Sequence, residues 1–241
     1  LILKGWDVSV SVVSAQASLP YSQLPLCSLL VGSLDGTEAI RKVLKNASEL
    51  HNGFDWIVDA THPFAQVISA NLKTVCSELN QSLIRFERSC ETLKGAFLIE
   101  SYKDLLKFDL TRQKLLFAIG SKFLPEAIKC ASSSGAIPFA RVLPTVYGIK
   151  KALACDLPHD HIAVLKPLGG ELVGEYEAAL CRQWKITGVV SRQSGGPTQK
   201  IWQTITQEQE LDLWLISRPQ RVENVYTVTT YSEFFNFLEK N

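Results

Sequence analysis

The chain has 241 residues, of which 46% are hydrophobic and 20% charged, and its formal net charge is +1 at pH 7. This is the composition of an ordinary globular protein, and the balanced charge excludes the strong field that a nucleic-acid or membrane partner would require. The 6 cysteines form no Cys-x-x-Cys pair, so we expect reduced thiols in a cytoplasmic protein without a metal site, and no apolar run approaches the ~18 residues of a transmembrane helix.

Strand and helix signals alternate from one end of the chain to the other. Short apolar or alternating runs predict strands, and apolar residues at helical spacing predict helices. In the first half, the strands are expected at 7–13, 26–31, 56–58, 83–86 and 97–99, and the helices at 37–50, 63–79 and 102–108. In the second half, the strands are expected at 115–119, 137–142, 162–165, 186–190, 211–216 and near 226, and the helices at 123–131, 146–154, 171–182, 198–206 and 232–240.

This alternation, with loops of a few residues, is the signature of right-handed βαβ units and mainly parallel sheets. A charged break at 111–114 separates two such runs. The sequence therefore predicts an α/β protein with two Rossmann-like domains, residues 1–113 and 114–241. A cleft between the domains is the natural ligand site.

One strand-to-helix junction carries three polar side chains within four residues. The predicted strand leads into Asp59, Thr61 and His62, and Pro63 suits the first turn of the next helix. In an open α/β sheet such a junction lies at the carboxyl edge, where ligands bind. Asp59 and His62 are therefore candidates for an acid/base pair near neutral pH. The alternative is structural, with Asp59 capping the loop and His62 bonding a backbone carbonyl.

Two loops that open helices carry glycine. Gly120-Ser121 follows one predicted strand, and Ser194-Gly195-Gly196 follows another, with Arg192 just before it. Free N–H groups at a helix N-terminus bind phosphate oxygens when no side chain obstructs them. The alternative for each loop is an ordinary strand-to-helix turn, since neither is a Gly-x-Gly-x-x-Gly or a Walker A motif.

Arginines recur at or near the ends of predicted strands, namely Arg85, Arg88, Arg141 and Arg218. Guanidinium groups at one sheet edge suit a substrate with several carboxylates. Ion pairing with neighbours such as Glu87, or plain solvation, is the alternative for each arginine.

Together and in this order, these motifs resemble those of the precorrin-6A reductase family, also known as cobalt-precorrin-6A reductases. The resemblance spans nearly the whole chain, and its most specific part is the unbroken block Asp-Ala-Thr-His-Pro-Phe-Ala from Asp59 to Ala65. The other matching motifs are Arg85 with Arg88, Gly120-Ser121, Arg141 to Pro144, Ser194-Gly195 with Lys200, and Arg218-Pro219.

The resemblance implies reduction of one double bond of a corrin-ring precursor in cobalamin biosynthesis, with NADPH, or alternatively NADH, as hydride donor. It implies that the arginines and Thr61 bind the acetate and propionate arms of the substrate, and that the glycine loops and Arg192 bind the cofactor phosphates. His62 or solvent would supply the proton. The oligomeric state is not predicted, and neither is the presence of cobalt in the ring.

The sequence also departs from the family pattern. The chain contains no methionine and begins at Leu1, and the usual first strand and Gly-Gly-Thr loop are not seen, so we expect an N-terminal truncation. The later loop usually reads Thr-Lys-acidic-Ser-Gly but here has Arg192 and Gln193 at the lysine and acidic positions. Two other functions stay open: a methyltransferase that uses S-adenosylmethionine, which has no phosphate, and a non-catalytic tetrapyrrole-binding protein.

Overall fold

The computed structural model describes residues 1–90 and 95–240, leaving aside the side chains of residues 50, 51 and 171. Its strands are β1 Ser9–Val12, β2 Ser28–Val31, β3 Ile57–Asp59, β4 Leu83–Phe86, β5 Phe97–Ile99, β6 Lys114–Phe117, β7 Ile137–Val142, β8 Ile162–Val164, β9 Gly188–Arg192, β10 Asp212–Ile216 and β11 Tyr226–Val228. Its α-helices are α1 Ala15–Ser18, α2 Gly36–His51, α3 Gln66–Glu78, α4 Leu124–Ser133, α5 Val146–Leu153, α6 Glu175–Trp184, α7 Pro197–Glu208 and α8 Tyr231–Leu238. In the described part of the chain, no helix is both long and apolar enough to cross a bilayer.

The predicted α/β class with mainly parallel sheets is confirmed, since every strand pairing in the described residues is parallel. The elements differ from expectation mainly at their ends. The segment 15–18, predicted as loop, forms one helical turn because the Ser14 hydroxyl accepts the N–H of Ala17. The segment Tyr102–Lys107 is a 3₁₀ helix, and α6 starts at Glu175 because Gly174 before it has φ +89°.

Contacts divide the chain into two units. The first unit contains residues 1–61, 65–87 and 221–241, and the second contains residues 62–64 and 88–220. This division does not coincide with the predicted boundary after residue 113, because β5 pairs with β10 of the second unit and β11 pairs with β4 of the first. The predicted cleft between domains stays a prediction.

The first unit contains a three-stranded sheet of order β11-β4-β3 and a two-stranded sheet of β1 and β2. Helices α2 and α3 pack together through a cluster around Ile40, Leu44 and Val75. A second cluster, around Ile84 and Phe234, joins β4 and β11 to α8. Asp59 at the end of β3 lies opposite Arg85 of β4, so the sheet register brings these two side chains together.

The second unit is built on a six-stranded parallel sheet of order β5-β10-β9-β6-β7-β8. Leu115 and Phe117 of β6 belong to one apolar cluster and Leu116 to another, so both faces of the sheet are covered, with α4 and α5 on one face and α6 and α7 on the other. Strands β10, β9 and β6 are neighbours, so the loops that follow them lie side by side at the carboxyl edge of the sheet.

Candidate functional site

Two arginine side chains of the second unit lie directly against the loop between β9 and α7. A Cβ atom added at Gly195 would lie 1.9 Å from Nη2 of Arg218 and 2.2 Å from the carbonyl oxygen of Ser89. A Cβ atom added at Gly196 would lie 2.4 Å from Nη1 of Arg88. Gly195 is therefore required, because it has φ +62° and a side chain would overlap a backbone oxygen as well as a guanidinium group, whereas a side chain at Gly196 would displace the end of the Arg88 side chain.

Arg218 forms hydrogen bonds with both this loop and the segment after β4. Its Nε donates to the carbonyl oxygen of Gln193 at 2.9 Å, and its Nη1 donates to the carbonyl oxygen of Arg88 at 2.7 Å. Its backbone N–H also donates to the side-chain oxygen of Gln193, at 3.2 Å. Arg218 thus holds the loop and the backbone of Arg88 in a fixed relation.

The loop does not offer all its N–H groups to a ligand, in contrast to the sequence-based expectation. The N–H of Gly195 donates to Oε1 of Gln199 at 2.7 Å, and Gln199 is only 2% exposed. Gln199 is the third residue of α7, the position from which a glutamine reaches back in a capping box. The N-terminus of α7 is therefore partly capped by the protein itself, and the charge at this loop comes from the arginines.

Arg192, at the end of β9, lies between the other glycine loop and an aromatic ring. Its Nη2 is 3.5 Å from the position of a Cβ atom at Gly120, which has φ +78°, and its guanidinium carbon lies 5.2 Å from the ring centroid of Phe64. Burial lowers the pKa of Arg192 from its usual value, but arginine stays charged at pH 7. This cation–π contact with Phe64 restrains the position of the guanidinium group.

We call Arg88, Arg192 and Arg218 the arginine cluster. Within the described ranges 1–90 and 95–240, no carboxylate forms an ion pair with Arg88 or Arg192. The positive charges of Arg88 and Arg192 attract an anion, and guanidinium forks match phosphate oxygens. Ser194 is buried within this loop, and the half-buried Ser121 follows Gly120.

His62 belongs to the same unit and is influenced by all three arginines. Its pKa is lowered to about 4, first by the protein that displaces water around the ring, then by the charges of Arg192, Arg88 and Arg218. Its Nδ1 accepts the N–H of Phe64 at 3.3 Å, which leaves the proton on Nε2. At pH 7 His62 is therefore a neutral hydrogen-bond donor through Nε2. The residue is exposed, so this donor is accessible to a ligand.

The lowered pKa predicts how stability depends on pH. In the unfolded chain His62 has a pKa near its ordinary value of 6.5. As the pH falls below 6.5, the unfolded state therefore binds a proton, whereas His62 in the folded state is protonated only near pH 4. The contribution of neutral His62 to the free energy of unfolding is fully present above pH 6.5 and is lost as the pH falls towards 4.

We expect His62→Asn, which keeps an acceptor near the Nδ1 position, to lose less free energy of unfolding than wild type between pH 7 and 5. Urea unfolding at both pH values measures this, and equal losses would contradict the lowered pKa.

Asp59 and Arg85 form the centre of a buried ionic network in the first unit. Nη1 of Arg85 pairs with Oδ2 of Asp59 and donates to Oγ of Ser69 at 2.7 Å, while Nε donates to Oε1 of Glu87 at 3.0 Å. Oδ1 of Asp59 accepts both the N–H and the hydroxyl of Thr61, at 3.1 and 2.6 Å. The charged partner of Asp59 is thus Arg85, and its carboxylate shapes the Thr61 turn.

This network favours the structural alternatives for two residues of the predicted site. Arg85 is 1% exposed and Asp59 is 3% exposed, so both side chains are buried among protein groups. Their bonds support the structural alternatives, an ion pair for Arg85 and a loop cap for Asp59. The reason is the strand register, because residues opposite each other on parallel strands meet when both point to the same face.

Arg141 is also paired within the protein. Its Nη2 donates to Oε1 of Glu177 on α6 at 2.9 Å, and both side chains are largely buried. Nε of Arg141 and Oε2 of Glu177 have no hydrogen-bond partner among the residues that the structure describes. Arg141 therefore connects the end of β7 to α6 and does not join the arginine cluster, which leaves Arg88 as the exposed arginine of the predicted substrate set.

Comparisons with known proteins identify the family. A family model described as Precorrin-6x reductase CbiJ/CobK matches residues 1–239. The cobalt-precorrin-6A reductase of Synechocystis sp. is 30% identical over 94% of this chain and 85% of its own length, and that of Priestia megaterium is 26% identical over 97% and 89%. The precorrin-6A reductase of Mycobacterium tuberculosis is 26% identical over 87% of this chain and 80% of its own length.

A solved structure shares the fold. CobK precorrin-6A reductase superposes with a TM-score of 0.69 and 22% sequence identity, covering 90% of this chain and 83% of that one. The family match extends over both contact-defined units and includes the two glycine loops and all three arginines of the cluster. The chain belongs to the precorrin-6x reductase family.

Proposed function

We propose that this protein reduces a ring double bond of precorrin-6A, or of its cobalt form, with NADPH as the hydride donor. Family membership over nearly the whole chain supports the reductase activity. The observation that carries the cofactor assignment is the arginine cluster, which lies over two glycine loops at one sheet edge and in which Arg88 and Arg192 form no ion pair with a carboxylate of the described chain.

The residues present fit a phosphate-bearing dinucleotide. Arg192 and Arg88 would hold phosphate oxygens, and Arg218 would keep the backbone of Arg88 in place. A guanidinium group is the usual partner of the 2′-phosphate that distinguishes NADPH from NADH, so the cluster favours NADPH. When bound, the cofactor supplies the hydride, and the protein supplies orientation and charge.

His62 is proposed as a hydrogen-bond donor to the bound ligands rather than as an acid. Its pKa of about 4 keeps the ring neutral at pH 7, and Nε2 carries the only ring proton. The proton that completes the reduction at the neighbouring ring carbon then comes from water. Asp59, Arg85 and Arg141 are given no contact with substrate in this proposal, since the protein itself satisfies their charges.

The methyltransferase alternative has less support. Membership of a reductase family argues against it, and S-adenosylmethionine has no phosphate that would account for the arginine cluster. The non-catalytic alternative predicts binding without turnover, so an assay of NADPH oxidation in the presence of the precursor distinguishes it from the reductase.

Replacing Arg192 tests the cofactor proposal. We expect Arg192→Gln to raise the Kd for NADPH by about 10–100-fold, because a charge-assisted hydrogen bond contributes roughly 1.5–3 kcal/mol. The Kd for NADH should rise by a smaller factor if Arg192 or its neighbours contact the 2′-phosphate. Titration followed by NADPH fluorescence measures both constants.

Arg182→Gln is the matched control, because Arg182 is an exposed arginine near the C-terminal end of α6 in the same unit. It should bind NADPH as wild type does. Equal affinities of Arg192→Gln and wild type would remove the arginine cluster from cofactor binding.

A further inference from the structure

We propose that Tyr231 is a stacking platform for a flat conjugated ring at the carboxyl edge of the first unit. This inference rests on the proposed reductase function and adds a ligand-contacting residue to it. This tyrosine belongs neither to the sequence motifs nor to the arginine cluster and its two glycine loops.

Tyr231 is exposed but held in a defined orientation. It is 73% exposed, yet its ring stacks on Phe86 with a centroid distance of 5.3 Å and an interplanar angle of 20°. Phe86 is in turn fixed edge-on by Phe234, at 5.5 Å and 76°. One face of the Tyr231 ring is thus used for packing within the protein, and the ring lies at the surface.

The start of α8 fixes the backbone beneath this ring. The Thr230 side chain accepts the N–H of Glu233, and the Glu233 carboxylate accepts the N–H of Thr230, which together form a capping box. Tyr231 is the first residue of α8. A side chain that is restrained by aromatic stacking and extends from a backbone fixed by a cap loses little conformational entropy when a ligand binds.

The strand register places Tyr231 at the edge where ligands bind. Val228, the last residue of β11, lies opposite Phe86, the last residue of β4, and the N–H of Glu87 donates to the carbonyl of Val228 at 2.9 Å. Tyr231 follows three residues later, on the carboxyl side of these parallel strands. Asp59 ends β3 at the same level of the sheet, opposite Arg85.

An exposed, oriented aromatic ring at this edge suits a flat conjugated ligand, since offset stacking adds to the contact area that the ring buries. The proposed reaction offers two sources of such a ring: the adenine or nicotinamide of the dinucleotide, and the tetrapyrrole macrocycle. Both are recognised by the same chemistry, so the test must distinguish them by using each as a separate probe.

The test compares three variants of the full chain. Tyr231→Ala removes the platform, and Tyr231→Phe keeps the ring without its hydroxyl. Tyr226→Ala is the matched control, because Tyr226 is 56% exposed and stacks on Phe237 at 4.2 Å, but at the opposite end of β11. Quenching of protein fluorescence gives the Kd for NADP⁺ and, separately, for uroporphyrin I, a flat tetrapyrrole with carboxylate arms.

We expect Tyr231→Ala to weaken binding of one probe by about fivefold or more, while Tyr231→Phe and Tyr226→Ala stay close to wild type. Weaker binding of NADP⁺ assigns the platform to the dinucleotide, and weaker binding of uroporphyrin I assigns it to the macrocycle. Affinities of Tyr231→Ala equal to those of Tyr226→Ala for both probes would overturn the stacking proposal alone. Binding of neither probe by the folded wild-type chain would overturn the proposed function as well.

Discussion

Arg85→Ala is expected to lower the free energy of unfolding by about 3–5 kcal/mol, the usual result of removing one partner from a buried ion pair. Arg85 is 1% exposed and is bonded to the carboxylates of Asp59 and Glu87, which are themselves 3% and 4% exposed. Without the guanidinium, the buried carboxylate of Asp59 would lose its charged partner and that of Glu87 would lose one of its partners, with little solvent to stabilise their charge. The exposed Arg221 donates to the other oxygen of Glu87, at 3.0 Å, and among the described residues it forms no ion pair with Asp59.

Urea unfolding of Arg85→Ala beside Arg41→Ala measures this effect. Arg41 pairs with Glu38 and Glu78 at the surface, where such pairs contribute roughly 0.2–1 kcal/mol. Arg85→Lys should fall between wild type and Arg85→Ala, because a lysine restores the charge but cannot bond both carboxylates in a fork. If Arg85→Ala were no less stable than Arg41→Ala, the network would not be a centre of stability for the first unit.

Gly195→Ala is expected to lower the free energy of unfolding by distorting the β9–α7 loop, and to raise the Kd for NADPH. Gly195 has φ +62°, which costs an alanine about 1 kcal/mol, and its new Cβ would overlap Nη2 of Arg218 and the carbonyl oxygen of Ser89. Arg218 would have to leave its bonds to Gln193 and to the backbone of Arg88. We expect a loss of about 1–3 kcal/mol in stability from this overlap, and a Kd for NADPH raised by at least about tenfold.

The control for this change is Gly169→Ala. Gly169 has φ −110°, and apart from its chain neighbours no atom of the described residues lies within 4 Å of the position of a Cβ, so alanine fits there. Unfolding by urea and titration with NADPH should both give wild-type values for it. A Gly195→Ala protein that binds NADPH as tightly as Gly169→Ala would show that the loop conformation does not matter for the cofactor.

Periodicity and turn residues predicted the order of the main strands and helices because these signals are local. The strands at 83–86, 97–99 and 137–142 have the predicted limits, and the parallel pairing follows from the alternation of strands and helices. The pairing partners of β5 and β11 could not be predicted in this way. Each has three residues, and nothing within three residues indicates the sheet that a strand joins.

The roles of the arginines also could not be predicted from the sequence. Strand ends identified them as candidates, but only the register shows that Arg85 meets Asp59, and only the packing of α6 brings Glu177 to Arg141. The pattern Ser194-Gly-Gly-Pro-Thr-Gln199 contained a usable signal, since a glutamine at the third helical position is typical of a cap. The lowered pKa of His62 depends first on the protein that displaces water around the ring and then on three arginines from distant parts of the chain, so it has no local signal.

Oxidation of NADPH by the purified chain, in the presence and absence of precorrin-6A, tests the central claim most directly. The proposed function predicts that the absorbance of the reduced nicotinamide falls only when the precursor is added, with equimolar consumption of NADPH and precursor. The cobalt form of the precursor, used in a parallel assay, shows which ring is reduced. NADPH that binds to the folded chain but stays reduced with both precursors would contradict the proposed function and leave a protein that binds without catalysis.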